Sequence, residues 1–206
     1  CRQVCNATDV GSQPYNNYVM KAYLDKPSTL ELEGAAVLQD LQCQTCAAFL
    51  ANEFTKLPEI KKKVSYLKAK TVLYKGKDGR ATWGSVERVL SGFGKWCNNG
   101  KYCKATDDPD YSNTLEAFVH WTWHVTDGYM VVTDVQGLKT GDSFILTDPA
   151  IHCKDLTRFG ATNMGPSGID SRFSTHVCNP ICEALKLRRH PSQPGAFKKS
   201  GTSAVH

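Results

Sequence analysis

The alternation of apolar and polar residues predicts a strand and a long helix in the first third of the chain. Residues 1–17 are polar and turn-rich, and residues 18–24 then alternate as a strand does, with Lys21 at the centre. A Pro-Ser-Thr-Leu-Glu stretch predicts a helix start with Ser28 as its cap. Apolar residues then recur at helical steps, at Val37, Leu38, Leu41, Ala48 and Phe49, so we expect a helix that ends before Pro58.

The rest of the chain predicts more strands, two helices and a tail. Residues 64–74 favour a strand, 77–79 a hairpin turn and 82–90 its partner strand. Residues 97–113 are predicted to connect an N-terminal to a C-terminal lobe. Later segments predict a helix capped by Asn113 with Glu116, a turn at 127–128, strands at 129–135 and 143–146, and a helix at 180–187. Residues 188–206 contain too few apolar residues to bury, which predicts a flexible tail.

Composition limits the classes of protein that fit. The 206 residues, 41% of them hydrophobic, suit one large domain or two small lobes that share a cleft. There is no apolar run long enough to span a membrane and no signal-peptide pattern. Much of the net charge of +5 comes from residues 61–63 and 186–199, which we interpret as solvated surface, so no nucleic-acid partner is expected. Nine cysteines without an export signal favour thiols or metal ligands and a reducing, cytoplasmic location.

A His-x-Cys-x3-Cys pattern near the C-terminus is a candidate zinc site. His176, Cys178 and Cys182 can converge on tetrahedral Zn²⁺, since the two cysteines share one face of a helix start. The fourth ligand is open: His120 is the first candidate, and His124, His152 and Cys153 compete with it. The alternative is a pair of buried free thiols beside a surface histidine. A site with four protein ligands would be structural rather than catalytic.

Two carboxylates and an amide stand close together in the sequence. Gln136 and Asp148 supply the oxygen ligands that Mg²⁺ needs when substrate phosphates complete its shell. Asp134 is then free to orient or deprotonate an attacking hydroxyl group. A turn role for Asp134 is the alternative. We expect a tight hairpin to separate Asp134 from Asp148, so that residues 138–142 must bulge for the two to meet.

Two further features suggest contacts with phosphate and substrate. Lys21 could cross a cleft to phosphate groups as a point charge, although a solvated lysine on an edge strand is an alternative. The glycine-rich segment 159–168 lacks the P-loop pattern and does not follow a predicted strand directly. It is therefore either a substrate-contacting loop or simply a flexible one.

Taken together, these segments resemble one family, and the resemblance covers residues 18–187. It rests on YVMK at 18–21, ERVLSGFGK at 87–95, AFVHWT at 117–122, VTDVQG at 132–137, LTDP at 146–149, GATNMG at 160–165 and HVCNPIC at 176–182. The pattern is similar to that of the alpha-kinases, atypical serine/threonine protein kinases related to myosin heavy chain kinases, elongation factor kinase and channel-kinases.

The resemblance implies an α+β, two-lobed protein-kinase-like fold of the alpha-kinase type with a structural zinc in the C-terminal lobe. The domain would span 1–187, with an N-lobe at about 1–90 and a C-lobe at about 91–187, followed by the basic tail 188–206. The implied activity is ATP-dependent transfer of phosphate to serine or threonine of a protein substrate. A zinc-stabilised pseudokinase or scaffold is the alternative.

The resemblance also implies a role for each matching residue. Lys21 would contact the α and β phosphates, while Glu87 and the backbone of Val89 and Leu90 would hold adenine. Asp134 would be the catalytic or orienting carboxylate, and Gln136 and Asp148 would bind Mg²⁺, with Asp148 over the transferring phosphate. The implied substrate loop comprises Gly160, Thr162, Asn163 and Gly165, with Asn163 as its polar contact. The implied zinc ligands are His120, His176, Cys178 and Cys182. Asn98 or Asn99 matches an asparagine-containing stretch of the family.

The N-terminus departs from the family pattern. The family has a phosphate-covering hairpin before the strand lysine, and little chain precedes Lys21 here. We therefore expect that hairpin to be truncated, degenerate or missing, and the chain itself to be a fragment or a processed product. The interval from Asp134 to Asp148 is also longer than expected, and Cys1 and Cys5 match nothing in the family pattern.

Overall fold

The structure is a computed structural model that describes residues 2–8, 17–24, 27–76, 78–100 and 111–195, with the side chains of 2–8, 17, 111 and 112 left undescribed. Its elements, in order, are β1 (Arg2–Thr8), β2 (Asn17–Tyr23), α1 (Leu30–Thr55), β3 (Lys63–Tyr66), β4 (Lys70–Lys75), β5 (Ala81–Arg88), β6 (Gly94–Lys95), a π-helical turn (Tyr111–Leu115), α2 (Glu116–Val125), β7 (Met130–Thr133), β8 (Gln136–Lys139), β9 (Ser143–Leu146), β10 (Ala150–Cys153), a 3₁₀ turn (Gly160–Thr162), α3 (Gly165–Phe173) and α4 (Pro180–Ala184). In the part of the chain thus described, no helix is both long and apolar enough to cross a bilayer.

Two four-stranded sheets and a strand pair organise the α+β fold. The first sheet has the order β1-β2-β5-β4, the second β3-β9-β8-β6, and β10 pairs with β7. The predicted hairpin of β4 and β5 is confirmed, with Lys75 opposite Ala81. The first residues of the chain were expected to be turn-rich, yet 2–8 form β1 and pair with β2. That expectation was wrong because polar residues are tolerated on a strand at the edge of a sheet.

Strand β3 links the two halves of the sequence. Residues 64–74 were expected to form one strand, but the segment breaks after Tyr66, and β3 pairs in parallel with β9. This pairing joins residues about 80 positions apart, with Val64 opposite Phe144. The predicted lobe boundary near residue 90 therefore does not separate the sheets, since β3 lies before it in sequence and belongs to the second sheet.

Helix α1 contacts strands of both four-stranded sheets and contributes buried residues to the core. Its cap is Thr29, whose hydroxyl group accepts from the Leu32 N–H at 3.2 Å, and not Ser28 as predicted. Thr29 is the last residue in extended conformation before the helix and so has the geometry that a cap requires. Phe54 is fully buried and packs against Phe118 of α2, with ring centroids 5.4 Å apart. By contrast, Leu38 and Phe49 lie on the exposed side of the helix.

Two expectations for the C-terminal half were wrong. No side chain caps α2 at Asn113, because the π-helical turn runs directly into the helix and leaves Leu115 in the cap position. Residues 188–195 were predicted to be flexible, yet His190 and Gln193 are buried. Local composition misses this burial, since Phe173 and Cys178, which contact His190 and Gln193, lie earlier in the sequence. Residues 196–206 of the predicted tail lie outside the described part, as do 101–110 of the predicted connector.

Candidate functional site

A tight hairpin brings the two acidic residues of the candidate site to the same place. Strands β8 and β9 are antiparallel, with Gly137 opposite Leu146, and the Thr147 N–H donates to the Gln136 carbonyl at 3.0 Å. The start of the first strand and the end of the second must therefore lie side by side. The expectation that a tight hairpin would separate Asp134 from Asp148 was wrong, and no bulge at 138–142 is needed.

Glycine at position 137 permits this close pairing. Its φ is +149°, and a Cβ there would lie 2.2 Å from the carbonyl oxygen of Ile145. A side chain at this position would push β9 away from β8. The glycine in the motif VTDVQG thus holds Gln136 next to Thr147 and Asp148.

The side chain of Gln136 ties the two acidic residues together. Its amide nitrogen donates to the Asp148 carbonyl oxygen at 3.0 Å and to the Asp134 carboxylate at 3.3 Å. Both aspartates have left-handed backbone conformations, with φ of 56° and 48°. Such conformations are costly for most residues and cluster at functional sites. The Lys95 ammonium group pairs with the Asp134 carboxylate at 2.6 Å, a partner that sequence reasoning missed.

Lys21 lies in the interior and points toward the hairpin end. Only 6% of its surface is exposed, and its Nζ lies 2.6 Å from the Asp148 carboxylate. It also forms an ion pair with Glu87 on the neighbouring strand β5. The alternative of a solvated edge lysine is therefore excluded. The lysine of the first sheet thus contacts an aspartate that follows the last strand of the β8–β9 hairpin in the second sheet.

Glu87 is held by several partners within this buried network. Its carboxylate accepts from the Thr147 hydroxyl group at 2.6 Å and from the Gln44 amide at 3.2 Å. The predicted contact of its side chain with adenine would require an exchange of these partners. The backbone at Val89 and Leu90 lies beyond the end of β5, and their role at adenine stays a prediction.

Gln44 and Thr147 belong to the site and were missed from the sequence. Gln44 lies on the buried face of α1, where its amide oxygen accepts from the Asp148 N–H at 3.2 Å. Its amide nitrogen donates to the Leu67 carbonyl at 2.8 Å. A polar residue between Cys43 and Ala47, both buried, was the available signal, because buried amides need partners.

The glycine-rich segment is an ordered turn that leads into α3. Gly160 and Gly165 both have positive φ, of 75° and 63°, and Thr162 is exposed. The Asn163 side chain accepts from the Gly165 N–H at 2.8 Å and the Cys153 N–H at 3.0 Å, and it donates to the Asp155 carbonyl at 2.9 Å. The alternative of a flexible loop does not fit this network. Asn163 thus fixes the shape of the loop, and its predicted contact with substrate stays a prediction.

Four His and Cys side chains converge away from this cleft. The ligand atoms of His120, His176, Cys178 and Cys182 all lie within 4.8 Å of one another. His176 Nε2 is 3.1 Å from His120 Nδ1 and 3.8 Å from Cys182 Sγ. Tetrahedral zinc with bonds of about 2.0 to 2.3 Å separates its ligand atoms by roughly 3.3 to 3.8 Å. The arrangement therefore fits a closed four-ligand metal site.

A partly buried carboxylate, whose role here was missed from the sequence, orients one of these histidines. Glu116 Oε2 accepts from His176 Nδ1 at 2.9 Å, which leaves Nε2 as the ligand atom, and it pairs with Arg172 at 2.6 Å. Burial raises the pKa of the Glu116 carboxyl group, but Arg172 and the hydrogen bonds from His176 and Arg172 outweigh it and lower the pKa to about 2.

The electrostatics of the cluster suit a cation. Burial lowers the pKa of His120 to about 4, so its ring is neutral and can coordinate. Burial raises the pKa of the Cys182 thiol to about 12, so a thiolate at this position requires a positive charge beside it.

The other candidates for the fourth ligand have different partners. His124 Nδ1 accepts from the Arg188 N–H at 3.0 Å, and His152 Nδ1 accepts from the Met164 N–H at 3.1 Å. The Cys153 thiol donates to the Asp155 carbonyl at 3.0 Å. His120 is therefore the residue that the fold places beside His176 and the two cysteines.

The comparisons with known proteins agree with this geometry. The model of the alpha-kinase family matches residues 1–182. The chain belongs to the alpha-kinase family. Alpha-protein kinase vwkA of Dictyostelium discoideum is 35% identical over 153 residues, which cover 72% of this chain and 24% of that protein. The chain thus spans about a quarter of the length of this curated relative.

Solved structures share the alpha-kinase fold. An alpha-kinase from Entamoeba histolytica superposes with a TM-score of 0.79 and 30% identity, covering 94% of this chain and 76% of that one. The inactive alpha-kinase domain of myosin-II heavy chain kinase A, complexed with ATP, gives a TM-score of 0.69 and 26% identity, covering 84% and 65%. These likenesses show that the chain has the α+β fold of the alpha-kinases.

Proposed function

We propose that this chain is an ATP-dependent protein kinase that transfers the γ-phosphate to serine or threonine of a protein substrate. The observation that carries the proposal is the position of Lys21, which lies in the interior and faces Asp148 at 2.6 Å. Gln136 and Asp134 lie at the same end of the hairpin. A cation, two carboxylates and an amide gathered at one end of the hairpin are the set that phosphoryl transfer requires.

Gln136 and Asp148 are the proposed Mg²⁺ ligands. The Gln136 amide nitrogen makes both of its hydrogen bonds within the site, so the amide oxygen is the atom that would face the cation. Mg²⁺ binds through one or two protein oxygens together with substrate phosphates, and when bound it would neutralise charge on those phosphates. These two residues therefore suffice as the protein contribution.

Lys21, Asp134 and the adenine-binding segment complete the proposed mechanism. The Lys21 ammonium group neutralises charge on the α and β phosphates, and Glu87 and Thr147 hold it in position. The Asp134 carboxylate orients the substrate hydroxyl group for in-line attack, steadied by Lys95. The backbone at residues 89–90 is the proposed adenine contact, and the turn at 160–165 lies against the peptide substrate.

The His/Cys cluster is the proposed structural zinc site. His120, His176, Cys178 and Cys182 would fill all four positions, which leaves none for substrate or water. When bound, zinc supplies a crosslink among α2, α4 and the segment between α3 and α4. The proposed thiolate ligands Cys178 and Cys182 suit a reducing compartment, and we propose a cytoplasmic location on this basis.

One observation favours a second candidate, a pseudokinase or scaffold. Lys21 already has two carboxylate partners, Glu87 and Asp148, and nucleotide phosphates would have to compete with them. A chain that keeps this network closed would retain the fold without catalysis. Nucleotide binding separates the two candidates.

A binding assay followed by a transfer assay tests the proposal. The melting temperature of the protein should rise with ATP and Mg²⁺ together and less with ATP alone, because Gln136 and Asp148 would bind the cation that accompanies the nucleotide. Labelled phosphate should then appear on serine or threonine of a peptide. Binding without transfer would favour the scaffold, and the absence of both would refute the nucleotide site.

A further inference from the structure

Residues 188–193, which we call the C-terminal strap, pack over the His/Cys cluster. They follow helix α4 and lie beyond the region that the alpha-kinase family model matches. His190 and Gln193 are 7% and 6% exposed, which is unusual for a polar segment at the end of a domain. The strap therefore belongs to the folded body, and its buried polar groups contact the cluster directly.

The strap backbone determines the tautomer of one metal-binding histidine. The Arg188 carbonyl accepts from His120 Nε2 at 2.7 Å. A neutral imidazole carries a single N–H, so this bond places the proton on Nε2 and leaves a lone pair on Nδ1. Nδ1 is the atom that faces His176 Nε2 at 3.1 Å and Cys178 Sγ at 3.8 Å.

A strap side chain contacts one of the sulfur ligands. The Gln193 amide nitrogen donates to Cys178 Sγ at 3.4 Å, and its amide oxygen accepts from the His190 N–H at 2.7 Å. Both ends of the amide are thus engaged, which defines its orientation. A hydrogen bond to the sulfur stabilises the charge of a thiolate and hence its bond to a metal.

Aromatic stacking holds the strap against the helix beneath it. The His190 ring lies parallel to that of Phe173 at an angle of 9°, with centroids 4.5 Å apart, and its centroid is 4.9 Å from that of Trp123. The Phe173 ring in turn contacts the rings of His120 at 5.3 Å and His176 at 5.8 Å. The strap and the cluster therefore share one packed layer.

We propose that the C-terminal strap positions the metal ligands and controls how tightly zinc is retained. The inference rests on the zinc site proposed above and adds residues that follow the last ligand. It assigns Arg188 to the orientation of His120 and Gln193 to the stabilisation of the Cys178 thiolate. The functional domain then extends at least to residue 193 rather than ending at 187.

A truncation series tests this inference. The full chain, a chain ending at 195 and a chain ending at 187 are compared for zinc content and for the rate of zinc transfer to a chelator. We expect the first two to behave alike, and the third to lose zinc or release it at least about tenfold faster, as is typical when partners of metal ligands are removed. A chain ending at 187 that retains zinc at the full-chain rate would overturn the proposal.

A matched pair of point variants covers the case in which the short chain fails to fold. Gln193→Glu keeps the acceptor for the His190 N–H but loses the donor to the sulfur, and it should release zinc about tenfold faster. Ser192→Ala loses only a contact with Asp170 and should match the parent protein. Equal release rates for the two variants would overturn the proposal.

Cobalt substitution provides a readout that a general loss of stability would not change. With Co²⁺ in the site, the thiolate-to-metal absorption band should shift in Gln193→Glu and stay unchanged in Ser192→Ala, because only the former changes a sulfur contact. An unshifted band in Gln193→Glu would contradict the proposed contact. A full chain without bound zinc would overturn the zinc site and the strap inference together, whereas zinc retained equally by every variant would overturn the strap inference alone.

Discussion

The Lys21 ammonium group lies 2.6 Å from the Asp148 carboxylate, and this contact joins strand β2 of the first sheet to the end of strand β9 in the second. Glu87 completes the arrangement from β5, so a single buried cation has two carboxylate partners. Buried charges are tolerated only when they are paired and hydrogen-bonded. The contact therefore has consequences for stability as well as for the proposed binding of phosphate.

Replacing Lys21 should destabilise the fold as well as remove activity. Lys21→Ala leaves the Glu87 carboxylate, 4% exposed, without its ammonium partner, and we expect a loss of roughly 3–5 kcal/mol in the free energy of unfolding. Lys56→Ala breaks an exposed pair with Glu53 and should cost less than about 1 kcal/mol. Denaturant unfolding measures both, and equal losses would contradict the buried pairing.

Gly137 should be intolerant of any side chain. Gly137→Ala places a methyl group against the Ile145 carbonyl in the pairing of β8 with β9, and we expect a loss of at least about 2 kcal/mol. Magnesium-dependent nucleotide binding should weaken too, since the hairpin holds Gln136 beside Asp148. Gly141→Ala, at the hairpin tip with open space around its Cβ, is the control and should change neither property.

Among the described residues, zinc should depend on the cysteines of the cluster and not on Cys46, which lies outside it. Cys178→Ser should lower the zinc content from one per chain to nearly none and reduce the melting temperature, because metal binding contributes folding free energy. Cys46→Ser makes the same chemical change outside the cluster and should keep the metal. Elemental analysis with thermal melting decides, and zinc retained by Cys178→Ser would refute the assignment.

The pH dependence of stability should include a contribution from His152. Burial lowers the pKa of this ring below its ordinary value of 6.5, against the raising effects of its bond to Asn99 and of Asp134. A depressed pKa in the folded state means that the stabilisation is complete above pH 6.5 and is lost as the pH falls below it. Unfolding free energies of His152→Gln should therefore fall less steeply than those of the parent protein below pH 6.5. Parallel curves would contradict this assignment.

Local sequence patterns predicted those elements whose conformation is determined by residues close to one another in the chain. Helix α1, the β4–β5 hairpin and strand β9 were predicted because their apolar periodicity and turn residues lie within a few positions of one another. The four metal-cluster residues were also named in advance. The spacing of His176, Cys178 and Cys182 follows coordination chemistry and is visible in the sequence, whereas the spacing left the fourth residue open and only the family resemblance implied His120.

Long-range pairings could not be predicted from local patterns. The parallel pairing of β3 with β9 depends on loop closure across much of the chain, and nothing in residues 63–66 specifies the partner. Gln44, Thr147 and Glu116 look like ordinary polar residues until the fold buries them beside a charge or a backbone group. The packing of the strap could not be predicted for the same reason, since its partners Phe173 and Cys178 lie earlier in the sequence.

The most direct test of the central claim is phosphate transfer by the parent protein and by Asp148→Asn. Asparagine tolerates the left-handed backbone conformation at this position and leaves Lys21 paired with Glu87, so the fold should persist. With Mg²⁺ and ATP, the parent protein should phosphorylate serine or threonine in a protein or peptide. The turnover rate of Asp148→Asn should be lower by at least about a hundredfold, and its loss of stability should be smaller than that of Lys21→Ala because Glu87 still pairs with the ammonium group. A parent protein that binds no nucleotide, or an Asp148→Asn variant that transfers phosphate at the parental rate, would contradict the account.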